Sequence, residues 1–424
     1  MKRPWWLPPF LGRIPPLEER QLALLGMVAL ALFFESYDLS LGTSALKYIA
    51  EDLGIGEDAL GGTLSIIRLG AIPAFLLAPF ADRIGRRRVF LACVIGASVA
   101  TFGTAFVRST AEFVAMQMLT RTALVLGTVV AIVIVTEELP AAHRGWALGI
   151  MGALAAGGHG LGAALFAAIN VLPYGWRFLY GLGILPLLFW PRFRAGVTET
   201  ARFRQHAATH VSRGGLHDWL GPMVGLVRRH PMRTLVMAAI AGLLGIGEVA
   251  VFQFTGYYAL SAHGWSPGQY SSMVILGGGV GIVGNVFAGR LGDRIGRRRV
   301  GAIFLTAMPA FAIVFYNGPG WVLPIAFAGF VFCATSAGVV VRAFSSELFP
   351  TSHRGTSTGW AQMLQVLGWA AGLWLVGVGS ETLQDIAART SELASTTVVA
   401  AALLLTLPET HRKELESLSV DEAV

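Results

Sequence analysis

Asp82-Arg-Ile-Gly-Arg-Arg-Arg-Val89 recurs letter for letter, 211 positions later, as Asp293-Arg-Ile-Gly-Arg-Arg-Arg-Val300. The chain that carries this phrase twice is 54% hydrophobic and 13% charged, with mean hydropathy +0.62. A soluble globular protein averages about 25% charged, so the solvent for most of these residues is lipid. A half-length duplication in an apolar chain is the pattern of a transporter built from two related halves. Outward from the phrase, two more pairs keep the register. Glu137-Glu-Leu-Pro140-Ala-Ala-His-Arg144-Gly145 answers Glu347-Leu-Phe-Pro350-Thr-Ser-His-Arg354-Gly355, and Thr198-Glu199-Thr200 answers Pro408-Glu409-Thr410, each at an offset of 210.

Apolar stretches long enough to cross a bilayer, about 20 residues each, fall at 21–47, 59–81, 89–107, 111–136, 146–170, 174–191, 233–260, 268–289, 301–318, 321–346, 356–380 and 393–407. The expected organisation is therefore a cytoplasmic segment 1–20, a six-helix bundle 21–191, a cytoplasmic loop 192–232, a second six-helix bundle 233–407 and a cytoplasmic tail 408–424. Basic loops are retained inside. With the N-terminus inside, 25 of the 32 Lys and Arg are cytoplasmic, and only Lys47, Arg108, Arg177 and Arg389 are outside. Both termini are then cytoplasmic in a plasma (inner) membrane protein, and the excess of base reports topology and anionic headgroups, not nucleic acid.

Cys93 and Cys333 both fall within spans, so neither a disulfide scaffold nor a metal site is expected. Residues 1–21 lack the apolar core of a signal peptide, and Trp5 and Trp6 are expected at headgroup depth. In the central loop, Leu216 to Val227 has the composition of an amphipathic helix on the inner leaflet. Gly277-Gly-Gly-Val-Gly-Ile-Val-Gly284 contains a dinucleotide-type glycine spacing, but inside a span and not between strand and helix, so no cofactor is implied.

The repeated motifs resemble those of the major facilitator superfamily, near its sugar-porter, organic-ion and aromatic-acid proton symporter branches. Gly289 to Arg298 fits the family's G-x-x-x-D-R-x-G-R-R loop, and Ala78 to Arg87 fits it with alanine at the first glycine. The resemblance implies an all-α membrane protein of twelve transmembrane helices in two pseudo-symmetric six-helix bundles, with a substrate cavity between them and alternating access. It also implies that Asp82, Arg86, Glu137 and Arg144, with Asp293, Arg297, Glu347 and Arg354, form a cytoplasmic gate. Physical reasoning adds that Gly85 and Gly296 must turn the backbone where a side chain would clash, and that the Arg runs face anionic lipid and the last carbonyls of nearby helices.

Charges inside the spans are functional candidates, because each costs about 2.5–3.5 kcal/mol at the bilayer centre on insertion scales. Glu35, Asp38, Arg68, Arg121, Glu248 and Arg342 are such residues, with His159 beside them. Glu35 and Asp38 are three residues apart and share a helix face. Two acids so close in low dielectric are expected to hold a proton between them, as a coupling site requires. Phe34 to Asp38 resembles the first-helix acidic element of aromatic-acid symporters, with Ser36 in place of glycine. Leu119 to Gly127 resembles the family's fourth-helix arginine element. That likeness makes Asp38 the proton acceptor and Arg121 its switchable partner. Glu248 lies 210 positions after Asp38 and joins the proton-coupling set.

Arginine offers a planar fork to carboxylates, so Arg68 or Arg121 is expected to grip an anion. His159, Tyr37, Gln253, Tyr257, Gln365 and Trp369 are expected to line the substrate site. Arg342, five residues before Glu347, is able to snorkel to the cytoplasmic surface instead. The reading is a proton-coupled secondary transporter of a small organic anion, acting as a monomer, with no cofactor or metal. A sugar or polyol symporter and a proton-driven drug exporter remain open alternatives, a membrane sensor is disfavoured by two intact gate motifs, and no nucleophile–base constellation suggests an enzyme.

Overall fold

The computed structural model describes residues 4, 6–7, 14–140, 143–197, 199, 225, 227–228, 230–348 and 354–409, without the side chains of 79, 82, 346–347 and 354–358. The proposed amphipathic stretch 216–227 falls almost wholly outside the described residues. Every regular element among them is a helix. The principal ones are α1 (Glu19–Ser44), α2 (Leu46–Leu53), α3 (Glu57–Leu69), α4 (Ala71–Leu77), α5 (Arg86–Thr104), α6 (Thr110–Glu138), α7 (Arg144–Phe166), α8 (Trp176–Gly181), α9 (Pro231–Ala262), α10 (Pro267–Ile295), α11 (Arg297–Asn317), α12 (Leu323–Glu347), α13 (Arg354–Gly377), α14 (Leu383–Ala394) and α15 (Thr396–Thr406). Among the described residues, nine helices are long and apolar enough to cross a membrane.

Local chemistry explains where helices start. Ser109 caps α6 by accepting from the Glu112 amide, and Ser266 with Gln269 and Pro267 forms a capping box at the start of α10. The two glycines of the repeated phrase behave as expected: Gly85 has φ 108° and Gly296 has φ 101°, so each halts one helix and admits the next. Two spans differ from expectation. Residues 174–191 do not form one helix. Positive φ at Tyr174 and Gly175 delays the start to Trp176, and Pro186 and Pro191 divide the remainder into short pieces. The last expected span, 393–407, is instead met by two helices, α14 and α15, that join at Ser395, and α14 starts at Leu383, where Thr382 and Asp385 make a capping box on a stretch too polar to read as membrane-spanning.

The chain divides into two compact units, residues 1–42 with 70–213, and residues 43–69 with 214–424. In the first, Leu25, Val28 and Ala29 of α1 bury against Ala131, Ile134 and Val135 of α6 and Ala147 and Ile150 of α7. Leu7 and Leu17 join this core, and the Trp6 ring occupies the space over Gly26, where a Cβ would come within 2.6 Å of it. Trp6 is thus packed on α1. Helix α7 docks directly on α1: a Cβ on Gly158 would stand 1.9 Å from the Phe33 carbonyl oxygen, and one on Gly162 would stand 2.7 Å from Ser40 Cβ. Small residues here let two backbones touch.

In the second unit, α13 packs against α9 and α3 through further glycines. A Cβ on Gly245 would meet the Gln365 carbonyl at 2.4 Å, and one on Gly61 would meet the Gly377 backbone nitrogen at 2.4 Å. Ser65 adds a hydrogen bond to the Ala370 carbonyl at 2.7 Å, fixing α3 on α13.

Candidate functional site

The repeated motifs build the same device twice. Arg86 and Arg87 begin α5, and the Glu199 carboxylate accepts from both backbone amides at 3.1 and 3.4 Å. Arg297 and Arg298 begin α11, where Glu409 accepts from both amides at the same distances. An anion on the unsatisfied N–H groups of a helix start is favoured by the helix dipole as well as by the bonds. The middle arginine of each Arg-Arg-Arg run reaches the final carbonyls of a neighbouring segment: Arg87 to Val197 and Arg194, Arg298 to Leu407 and Leu405. The expected contact of the Arg runs with the last carbonyls of nearby helices is present. The sequence marks Glu199 and Glu409 by their common offset but does not disclose their anchoring role.

The gate residues follow this pattern unevenly. Arg86 makes an ion pair with Glu137, both largely buried, and Arg144 donates to the Leu139 carbonyl at 3.2 Å. Arg297 pairs with exposed Asp293 at 3.5 Å, one helical turn away. The side chains of Asp82, Glu347 and Arg354 lie outside the described residues.

Within the spans of the first unit, Glu35, Asp38 and Arg121 gather. Asp38 is 2% exposed, and Thr101 of α5 donates to its Oδ1 at 3.1 Å. Its Oδ2 has no hydrogen-bond partner among the described residues, nor does Arg121 Nε. Thr128 of α6 donates to the Glu35 carboxylate. Arg121, also on α6, is the one cation whose field reaches both acids, and it does so through space without a direct ion pair among the described residues. Glu35, Tyr37, Ser98, Thr101 and Thr128 line a cavity inside this unit, mostly walled by apolar side chains such as Phe34, Phe90 and Val94. Tyr37 donates to the Leu179 carbonyl at 2.8 Å and is turned into the bundle. His159 hydrogen-bonds the Ser36 backbone, on the α1 turn between the two acids.

The second unit holds the opposite set. Glu248 of α9 accepts from Gln365 Nε2 at 3.1 Å, and the Trp369 indole also bonds its carboxylate. Arg68 of α3 donates to Gln253 Oε1 at 2.8 Å, and its guanidinium lies 5.6 Å from the centre of the Trp369 ring, within cation–π range. The fields of both Arg342 and Arg68 reach Glu248. Arg342 does not reach toward the C-terminal end of α12. Its guanidinium lies back over Gly338, 3.1 Å from where a Cβ would be, because a helical side chain leans toward the N-terminus and glycine leaves it room. Tyr257 is buried and donates to Glu57 Oε1 at 3.0 Å, beside Lys47, which donates to the Leu260 carbonyl at 3.2 Å. Thus Gln253, Gln365 and Trp369 converge with Arg68 and Glu248, whereas Tyr257 ties the outer turns of α9 to α3.

Known proteins place this arrangement. The family model described as Major Facilitator Superfamily matches residues 28–373. A gallate transporter of Pseudomonas putida is 27% identical over 398 residues, covering 81% of this chain and 82% of the relative. A cis,cis-muconate transport protein of Acinetobacter baylyi is 26% identical over 354 residues, covering 80% and 83%. Among solved structures, the inward-open conformation of the xylose transporter XylE from E. coli superposes with a TM-score of 0.76 at 18% identity, covering 94% of this chain and 99% of that one. That likeness concerns the fold. With a family model over most of its length and a fold to match, the chain belongs to the Major Facilitator Superfamily and is a multi-pass membrane transporter, not an enzyme.

Proposed function

We propose that the protein is a proton-coupled symporter that carries a small organic anion, a carboxylate or aromatic acid, inward by alternating access. The observation that carries this reading is the opposite charge surplus of the two intramembrane clusters. With every group ionised, Glu35, Asp38 and Arg121 hold one negative charge in excess, which one proton cancels. Asp38 Oδ2, free of any hydrogen bond among the described residues, is the atom available to take it. Arg68, Arg342 and Glu248 hold one positive charge in excess, which one carboxylate cancels. An unbalanced charge in a low-dielectric site costs several kcal/mol, so each cluster favours the ligand of opposite sign.

The relative that carries gallate, a monocarboxylic acid, supports the same class of cargo, and the relative that carries cis,cis-muconate, a dicarboxylic acid, supports an organic acid more broadly. A sugar or polyol would leave the excess positive charge of the second cluster uncompensated, and a cationic drug would add to it. We further propose a monomer in the plasma (inner) membrane with both termini cytoplasmic, as the distribution of Lys and Arg favours. The gate residues, Asp82, Arg86, Glu137 and Arg144 with their counterparts Asp293, Arg297, Glu347 and Arg354, hold the cytoplasmic ends together in one state and part in the other.

The test is uptake by proteoliposomes under an imposed pH gradient, across a panel of carboxylates, sugars and cationic drugs. Gradient-driven accumulation of a carboxylate is expected, and Asp38→Asn should reduce it to equilibration. Undiminished accumulation by Asp38→Asn would overturn the assignment of the proton site, and accumulation of sugars alone would overturn the cargo.

A further inference from the structure

Glu248 has no role in holding an anion: as a carboxylate it repels one. Yet it sits within the field of both arginines of the second unit, held there by Gln365 and Trp369, while Trp369 also carries Arg68 on its ring face. An acid so placed acts on whatever anion Arg68 and Arg342 attract.

We propose that Glu248 sets the charge of the accepted substrate at one, by occupying one of two arginines as a resident carboxylate and leaving a single positive charge for the cargo. This inference rests on the organic-anion reading and narrows it to monocarboxylates. The mechanism is an exchange of partners. Without cargo, Glu248 is shared between Arg68 and Arg342. An arriving carboxylate takes the fork of Arg68, with Gln253 and Trp369 already orienting it, and Glu248 falls to Arg342 alone. The filled cluster has two arginines and two carboxylates and is neutral. A dicarboxylate would leave it with one uncompensated negative charge, the state a buried site tolerates least. Arg342, folded over Gly338 instead of reaching the membrane surface, is what allows Glu248 to yield Arg68 without becoming an orphan charge.

The experiment is equilibrium binding to the purified full-length protein in lipid nanodiscs, with three probes on one ring: 4-hydroxybenzoate, terephthalate and neutral 4-hydroxybenzamide. Wild type is expected to prefer 4-hydroxybenzoate over terephthalate by tenfold or more. Glu248→Gln, which keeps the shape and removes the charge, should tighten 4-hydroxybenzoate several-fold and shift the preference toward terephthalate by tenfold or more. Binding of 4-hydroxybenzamide should stay within about twofold, since no charge is exchanged with it. Glu248→Asp should retain the wild-type preference. Arg342→Gln, which removes the second positive charge, should lose 4-hydroxybenzoate and spare the amide, so the inference stays open to refutation even if Glu248→Gln fails to fold.

An unchanged ratio of the two acids in Glu248→Gln, or equal losses for all three probes in Arg342→Gln, would overturn the charge-setting role while leaving the anion reading intact. If neither acid binds wild type but neutral sugars do, the anion reading fails and this inference fails with it.

Discussion

The two intramembrane clusters are built on helices related by the repeat, and they are mirror images in charge. Asp38 and Glu248 occupy positions 210 apart on the first helix of each half. Around Asp38 stand a second acid and one arginine; around Glu248 stand two arginines and a pair of amides. The starts of α5 and α11 show no such divergence. Gly85 and Gly296 share a positive φ, and Glu199 and Glu409 seat the following helix with matching bonds. Backbone geometry admits one solution at a tight turn between two spans, so both halves keep it. Inside the membrane, what is fixed is that a charge be compensated, and either sign of surplus satisfies that when a ligand of opposite sign arrives.

The sharpest way to break this contrast is to remove one arginine from each cluster. Arg68→Ala should weaken anion binding by about 30- to 150-fold, the size of about 2–3 kcal/mol for truncating one side of a hydrogen-bonded charge contact. Arg121→Ala should leave equilibrium anion binding within a few-fold and abolish accumulation under a pH gradient. Equal signatures in the two variants, measured by binding and uptake side by side, would dissolve the division of labour.

Next in size is the packing that presents each acid. Gly158→Ala forces a Cβ against the Phe33 carbonyl, and Gly245→Ala forces one against the Gln365 carbonyl. Each should destabilise its unit by about 1–3 kcal/mol and lower the melting temperature. Gly160→Ala, with nothing within 4 Å of its Cβ, should not. A thermal series that failed to separate Gly158 from Gly160 would refute the direct docking of α7 on α1.

Smaller effects test the symmetric parts. Glu199→Gln and Glu409→Gln each remove a charged helix cap and should cost about 1 kcal/mol apiece. Unequal losses in urea or thermal melts would indicate that the two devices have diverged after all. The smallest change is Trp369→Leu, which removes a cation–π contact of about 0.5–1 kcal/mol. Anion affinity should fall by about two- to fivefold, and by less for a neutral analogue.

Much of this molecule is written in one dimension. The repeated phrase, the apolar period and the spacing of Glu35 and Asp38 follow from helix geometry and from the cost of charge in lipid, both of which act along the chain. Gly85 and Gly296 were legible for the same reason, because a turn is local. The broken sixth span and the early start of the last were less so. In the first, prolines override an apolar run, and in the second a capping box sustains a helix too polar to be seen by hydropathy.

The order of residues alone requires that six charges be compensated inside the membrane and sets two acids at equivalent points of a repeat. Which charges answer which follows from the packing of the helices. Arg68 is written in the first half, thirty positions from Asp38, yet its guanidinium lies on Gln253 and Trp369 and its field on Glu248. Arg342 reads as a residue bound for the surface and is instead turned back over Gly338. The reason is that compensation acts through space: the partner of a buried charge is whatever side chain the packing of glycine-lined helices brings near, and no spacing along the chain encodes it.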